Sequence, residues 1–286
     1  MTYTAAGRLY VVATPIGNLD DLSVRARGIL QSCSLIAAED TRHTGLLLQH
    51  LGIDTPLLSL HEHNERQRAG EIIEQLRAGA SIALVSDAGT PAISDPGFDL
   101  VRAAAAAGID VIAVPGPCAA IAALSIGGLP TDRFCFEGFL PARGAARRRQ
   151  LETLANEART LVFYESPHRV HETLEDCANA FGDARSATVA REITKMHETT
   201  YRGTLRELLA RAESDPDFRR GEIVLLIAGS VQVADNEGAL DKVLKVLLAE
   251  LPLKQAAHLA AQIAEVRDNE AYKRALQLKQ GSASHS

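Results

Sequence analysis

Over the first 115 residues, short apolar runs alternate with segments whose apolar residues recur at helical spacing, and this constrains the fold most. The runs at 9–13 (LYVVA), 34–38 (SLIAA), 57–60 (LLSL), 82–85 (IALV) and 111–114 (VIAV) read as strands. The stretches 22–32, 44–51, 65–78 and 97–107 read as helices. Strands alternating with helices are joined by crossovers and run parallel, so a doubly wound parallel sheet is expected. Such a sheet gathers the loops that follow its strands at one rim, where ligands bind. Here those loops are Thr14-Pro15-Ile16-Gly17-Asn18, Glu39-Asp40-Thr41-Arg42, His61-Glu62-His63-Asn64, 86–97 and Pro115-Gly116-Pro117.

The central loop is the most unusual of these. After the apolar run Ile82–Val85 come Asp87-Ala88-Gly89-Thr90-Pro91 and then Ser94-Asp95-Pro96-Gly97. Glycine allows close backbone approach to a ligand, and proline stiffens a loop without adding a donor. An ordinary strand-to-helix turn would use some of the same residues, but the position at a sheet rim favours ligand binding.

Pro115-Gly116-Pro117 and the small apolar stretch Cys118–Gly128 read as a hinge leading into a helix. Beyond it, strands are expected at 134–139, 160–164, 186–190, 198–203 and 222–228, with helices at 144–156, 167–181 and 204–213. A hairpin within Thr188–Thr204 would make this second sheet mixed. After Gly229 the pattern becomes helical at 237–250, 253–265 and 269–279, and the final Gly281–Ser286 is expected to be disordered. The expected organisation is therefore an N-terminal α/β domain (1–116), a second α/β domain (117–230) and a small C-terminal helical extension (231–286). At 286 residues, the chain has room for two α/β domains.

Composition narrows the function classes. Hydrophobic residues make up 46% and charged residues 23%, as in a soluble globular chain. No secretory leader is recognisable, and no apolar run approaches the ~20 residues of a membrane span, so a cytoplasmic location is expected. Cys33, Cys118, Cys135 and Cys177 form no CxxC pair. No GxGxxG follows the first strand and no P-loop is present, which excludes the usual dinucleotide and NTPase fingerprints. His61-Glu62-His63 and His168-Arg169-Val170-His171-Glu172 lack metal-ligand spacing, so no metal is expected. Cys118, at a helix start, reads as a packing residue, because no His or Asn follows at a recognisable nucleophile spacing. The net charge of −6 does not advertise nucleic acid, although Arg143, Arg147, Arg148 and Arg149 cluster. A solvated helix start would also account for that cluster.

Two polar sets follow strands in the second half. In Tyr164-Glu165-Ser166-Pro167-His168-Arg169, Ser166 and Pro167 suit the N-cap and first position of a helix, which leaves Glu165 and Arg169 unexplained. Arg191-Glu192-Ile193-Thr194-Lys195-Met196-His197-Glu198 brings four charges and a histidine to another strand end. A solvated turn would do as well.

Taken in order, ATPIGNLDD, AAEDTRHT, SDAGTPAISDPG, VPGPCAA, FEGFLP, FYESPHR, REITKMHE and GEIVLLIAG resemble the tetrapyrrole methylase superfamily. More narrowly, they resemble its bacterial branch that methylates the 2′-hydroxyl of a cytidine in the decoding region of small-subunit ribosomal RNA. The resemblance implies S-adenosylmethionine as cofactor, held in a cleft between two α/β domains, and a homodimer. Position by position, it implies cofactor contacts at Gly89, Thr90, Ile93, Ser94, Cys118 and Ala119, and also at Pro15, Tyr164, Glu165, Ala190 and Ala228. The porphyrin-modifying branches carry Gly-Asp-Pro where this chain has Gly89-Thr90-Pro91, which favours RNA over a tetrapyrrole. The substrate is then small-subunit RNA or the assembled subunit. A small-molecule methylase and a catalytically silent RNA-binding protein are the alternatives.

Transfer to a ribose hydroxyl, a weak nucleophile, gains from a base within hydrogen-bond reach. The candidates are Lys195, with its pKa lowered by burial and by Arg191, or Glu165 or Glu192. Arg42 and Arg169 are expected at the phosphates flanking the cytidine, and Arg143, Arg147, Arg148 and Arg149 farther along the RNA backbone.

Overall fold

A computed structural model describes residues 7–230, 236–264 and 266–283. The chain divides into two compact units, Met1–Ser230 and Val231–Ser286. The first contains β1 (Arg8–Val12), α1 (Val24–Ser32), β2 (Leu35–Ala38), α2 (Thr41–Leu51), β3 (Leu57–Ser59), α3 (Glu65–Arg77), β4 (Ile82–Val85), α4 (Phe98–Ala106), β5 (Asp110–Val114) and α5 (Ala119–Gly127). It continues with β6 (Phe134–Phe139), α6 (Gly144–Leu154), β7 (Thr160–Glu165), α7 (Val170–Phe181), β8 (Ser186–Arg191), β9 (Thr199–Thr204), α8 (Leu205–Ser214) and β10 (Ile223–Ile227).

The first sheet is parallel throughout, in the order β3-β2-β4-β1-β5. β4 lies between β1 and β2 and all four of its residues are buried, which explains its unbroken apolar run. Apolar clusters cover both faces of the sheet, one around Leu9, Ile72, Leu84 and Leu100, the other around Val12, Leu30, Ile36 and Val85. Strand order changes direction around β4, β1 and β5, so the loops after these strands frame a crevice.

Local chemistry sets the helix ends that matter here. Asp40 caps α2 by accepting from the Arg42 amide at 2.8 Å. The N-terminus of α4 has no side-chain cap of its own. Instead, the buried Glu65 Oε1 accepts from the amides of Gly97 (3.1 Å) and Leu100 (3.0 Å), which anchors the end of the central loop.

The second sheet has the order β6-β7-β10-β8-β9. β6 and β7 are parallel, β10 is antiparallel to both β7 and β8, and β8–β9 is the expected antiparallel hairpin, so the sheet is mixed. Helices α6, α7 and α8 bury one of its faces around Leu151, Phe163, Leu174, Leu208 and Leu225. On the other face, α5 packs Ala120, Ala123 and Leu124 against Val162, Ala190, Val224 and Leu226. Ile16, from the loop after β1, joins this last cluster and ties the first sheet to the second.

α7 starts at Val170 rather than at Pro167, so Ser166 is not its cap. The Ser166 carbonyl accepts from the amides of Arg169 and Val170 (both 3.0 Å), making a separate turn before the helix. That turn leaves Ser166 and Pro167 facing the cleft described below.

The second unit contains α9 (Asn236–Glu250), α10 (Leu253–Ile263) and α11 (Asp268–Ala283), packed around Leu240, Leu244, Ala257, Ala260, Ala271 and Ala275. Arg274 on α11 donates to Asp241 on α9 from Nε and Nη2 (2.6 and 2.7 Å). Gly281–Ala283, expected to be disordered, belong to α11, and Ser284–Ser286 lie outside the described residues. Among the described residues, no helix is long and apolar enough to cross a membrane, and no group of three or more His, Cys, Asp or Glu could hold a metal ion.

Candidate active site

A cleft of about 330 Å³ opens at the rim where the two sheets face each other. That volume lies within the range of small-molecule sites. One wall is Ile16 with Ala88, Gly89, Thr90, Ile93 and Asp95. The hinge contributes Cys118 and Ala119. The opposite wall is Phe139, the turn Tyr164–Pro167, Ile193 and the start of β10 at Glu222–Val224.

Backbone pairing builds the first wall. Thr14 and Gly89 exchange two hydrogen bonds (2.8 and 3.1 Å), forming a bridge outside the regular ladder. Gly89 has φ +82°, a conformation that calls for glycine, and a Cβ there would crowd the Ile16 side chain at 3.3 Å. The Thr90 hydroxyl donates to the Pro117 carbonyl at 3.1 Å and locks the central loop to the hinge. Two non-glycine residues in the same loop, Ala92 and Ser94, hold positive φ (66° and 65°). Such backbone strain persists where the surrounding structure over-determines a loop.

A bulge builds part of the second wall. Between Phe136 and Gly138 the β6–β7 register shifts, and Gly138 has φ +64°. The extra residue brings Phe136 and Phe139 to one side, where both meet the Tyr164 ring edge-on (centroids 5.0 and 5.6 Å). Phe136 is half-buried, whereas Phe139 is 59% exposed at the cleft.

The cleft is electrostatically one-sided. Asp95 lies close to Glu39 and Asp87, and its pKa is pushed up to about 6 by burial, by the charges of Glu39 and Asp87, and against a hydrogen bond from Ser86 that pulls it down. Glu39 is raised as well, first by burial. Across the cleft, burial, Cys118 and Asp95 together raise the Tyr164 hydroxyl well above its usual range. No Lys or Arg balances Asp95 among the described residues, so this wall favours a cationic ligand.

Of the expected cofactor residues, Gly89, Thr90, Ile93, Cys118, Ala119, Tyr164 and Glu165 line the cleft. Pro15 and Ser94 adjoin lining residues without lining it. Ala190 is fully buried beneath the cleft, paired with Val224. The structure does not bring Ala228 to the cleft: its amide bonds Ser186, at the opposite end of β10 from Ile223. Because β10 runs antiparallel to its neighbours, its first residues lie beside the ends of β7 and β8 at the cleft, and its last residues lie at their far ends.

The three candidate bases are all occupied. Glu165 is buried and accepts from the Ser166 amide (2.6 Å), the Thr173 hydroxyl (2.6 Å) and Arg169 (3.0 Å). Glu192 accepts from Lys195 Nζ (3.0 Å) and the Glu222 amide (2.9 Å), and these bonds outweigh burial and lower its pKa. Lys195 was expected to have a lowered pKa, and the structure reverses that. Burial pulls it down, but its ion pairs with Glu192 and Glu222 raise it above the usual lysine range. Its side chain lies across Gly17, where a Cβ would come within 2.4 Å of Cγ.

The expected RNA contacts divide in the same way. Arg147 is 3% exposed and pairs with Asp176 (2.6 Å) and Glu172 (3.3 Å), so it joins α6 to α7 instead of facing a ligand. Arg169 is committed to Glu165 and to the Leu140 carbonyl. Arg42 is 90% exposed but is neutralised by Asp40. Arg143, Arg148 and Arg149 are exposed on and beside the first turns of α6, with Arg148 3.5 Å from Asp176.

Sequence reasoning did not single out Asp95, Phe139, Ile16, Ile193 or the 222–224 edge. In the sequence Asp95 reads as part of a turn, and the repeated Ser-Asp of 86–87 and 94–95 is the signal that sets it apart. Phe139 faces the cleft because of the bulge at Gly138, which hydrophobic patterning does not reveal.

Residues 8–209 match the family model of Tetrapyrrole (Corrin/Porphyrin) Methylases, and residues 234–279 match that of the RsmI C-terminal HTH domain. A ribosomal RNA small subunit methyltransferase I from Pseudomonas aeruginosa is 55% identical over 98% of this chain and 100% of that one. Its counterpart from Escherichia coli O157:H7 is 53% identical over 95% of both. The chain belongs to this methyltransferase family. Solved methyltransferases share the fold at low identity. The methyltransferase CobJ superposes with a TM-score of 0.59 at 20% identity, over 78% of this chain and 95% of that one. A uroporphyrin-III-C-methyltransferase from Thermus thermophilus superposes at 0.52 and 20%, over 80% and 97%.

Proposed function

We propose that the chain transfers a methyl group from S-adenosylmethionine to the 2′-hydroxyl of a cytidine in the decoding region of small-subunit ribosomal RNA. The full-length match to small-subunit ribosomal RNA methyltransferases carries this reading, and the cleft supports it. Residues 1–116 and 117–230 form the two lobes, with 231–286 an appended helical unit.

The residues present fit a sulfonium cofactor. The loop bends at Gly89–Ile93 offer backbone groups, Cys118 and Ala119 an apolar edge, and the Asp95 wall a negative field that no cation among the described residues balances. When bound, S-adenosylmethionine supplies an electrophilic methyl group. The chain's own task is to hold the acceptor hydroxyl in line with that methyl and to keep water out. Phe139, exposed on the facing wall, offers a ring against which the cytosine base stacks. Arg143, Arg148 and Arg149 carry the phosphate contacts; Arg147 and Arg169 are withdrawn from that role by their ion pairs. The family resemblance supports a homodimer acting in the cytoplasm, and light scattering of the purified protein tests the stoichiometry.

The deciding experiment incubates small subunits, and separately bare RNA, with radiolabelled S-adenosylmethionine and maps the label. Label on the ribose oxygen of one cytidine is expected. Label on a base or on a small acid, or none at all, overturns the reading.

A further inference from the structure

Among the cleft carboxylates, Glu165 is saturated by three donors and Glu222 pairs with Lys195 at 3.0 Å. Asp95 differs: it lines the cleft, is half-buried, and faces the Ser86 hydroxyl, Glu39 and Asp87 on its own side and Tyr164 across the gap. The groups around Glu39 are Asp40, Glu62 and Asp87. No described cation neutralises Asp95, and its loop is fixed at both ends, by the Thr14–Gly89 bridge and by Glu65 at Gly97.

Resting on the reading above, we propose that Asp95 is the catalytic base that takes the proton from the RNA 2′-hydroxyl as the methyl group is transferred. The O–H bond breaks with its electron pair left on the ribose oxygen and its proton on an Asp95 carboxylate oxygen. The ribose oxygen forms its new bond to the methyl carbon while the carbon–sulfur pair stays on sulfur, leaving a neutral thioether. Asp95 then releases the proton to solvent.

The surroundings suit this task. An ordinary aspartate is a weak base, and burial beside two further acids strengthens it while leaving it ionised at neutral pH.

The test uses the full chain, with Asp95→Asn and Asp95→Glu. Single-turnover methylation of small subunits is followed against pH, with donor affinity measured by calorimetry and subunit affinity by filter retention. Asp95→Asn is expected to lose roughly 10²–10⁴-fold in rate at saturating donor, with subunit affinity unchanged and a loss of donor affinity much smaller than the loss of rate. The wild-type rise in rate that levels off above about 6 should disappear with it. Asp95→Glu should recover part of the rate. Without any donor, the infrared carboxylic-acid band that distinguishes wild type from Asp95→Asn should titrate near the same pH. Wild-type turnover in Asp95→Asn, titration of that band in the ordinary aspartate range, or a rate loss matched by weaker donor binding would overturn the assignment. If wild type itself places no label on RNA, the reading of the substrate fails instead, and the infrared titration still reports on Asp95.

Discussion

At the scale of single residues, the cleft trades stability for chemistry. The unfolded chain releases the Asp95 proton in the usual carboxylate range, but the folded chain releases it only near 6. Between those values the folded state holds more protons, so stability falls as pH rises through that window and is level above it. Asp95→Asn should therefore melt higher than wild type, by a margin that opens between about pH 4 and pH 6 and then stays constant; scanning calorimetry across pH checks this. Phe139 makes a different prediction, because its exposed ring has little to do for the fold. Phe139→Ala should raise KM for RNA by about tenfold, in line with ~1–3 kcal/mol for one stacked base. Donor affinity should be unchanged, and Phe139→Tyr should restore KM. An unaltered KM in Phe139→Ala would remove the ring from substrate binding.

At the scale of elements, the α6–α7 pair shows how a basic cluster divides. Four arginines lie within seven residues, yet helical geometry turns Arg147 inward onto Asp176 while Arg148 and Arg149 stay outside. Removing one partner of a buried ion pair strands the other, so Arg147→Ala should destabilise the first unit by about 3–5 kcal/mol. Arg149→Ala should leave the melting temperature unchanged and weaken RNA binding in a salt-dependent way. Urea unfolding and binding titrations at two salt concentrations separate the two effects. The strand elements were readable because buried parallel strands need unbroken apolar runs, and β1 to β5 supply them. The bulge in β6 was not readable. It depends on the register of Phe134–Phe139 against β7, a pairing between segments far apart in sequence.

At the scale of the whole molecule, each unit has its own apolar core. All the cleft-lining residues belong to the first unit. A chain ending at Ser230 should therefore unfold cooperatively and bind S-adenosylmethionine as the full chain does, as calorimetry would show. Loss of donor binding on truncation would mean that the helical unit helps to build the cleft.

The sequence by itself determined the α/β class, the order of strands and helices, and the rim where a ligand would lie, because apolar periodicity and Gly-Pro loops are local signals. It also carried the central loop, whose Gly89 and Thr90 line the cleft. Tertiary structure decided everything that depends on pairing across the chain. The antiparallel course of β10 puts Glu222, not Ala228, at the cleft. Ion pairs occupy Lys195, Glu165, Glu192, Arg147 and Arg169. Asp95 is left facing two acids with no partnering cation among the described residues. A residue's charge is written in the chain, but what that charge is worth depends on which neighbours folding brings within a few ångströms.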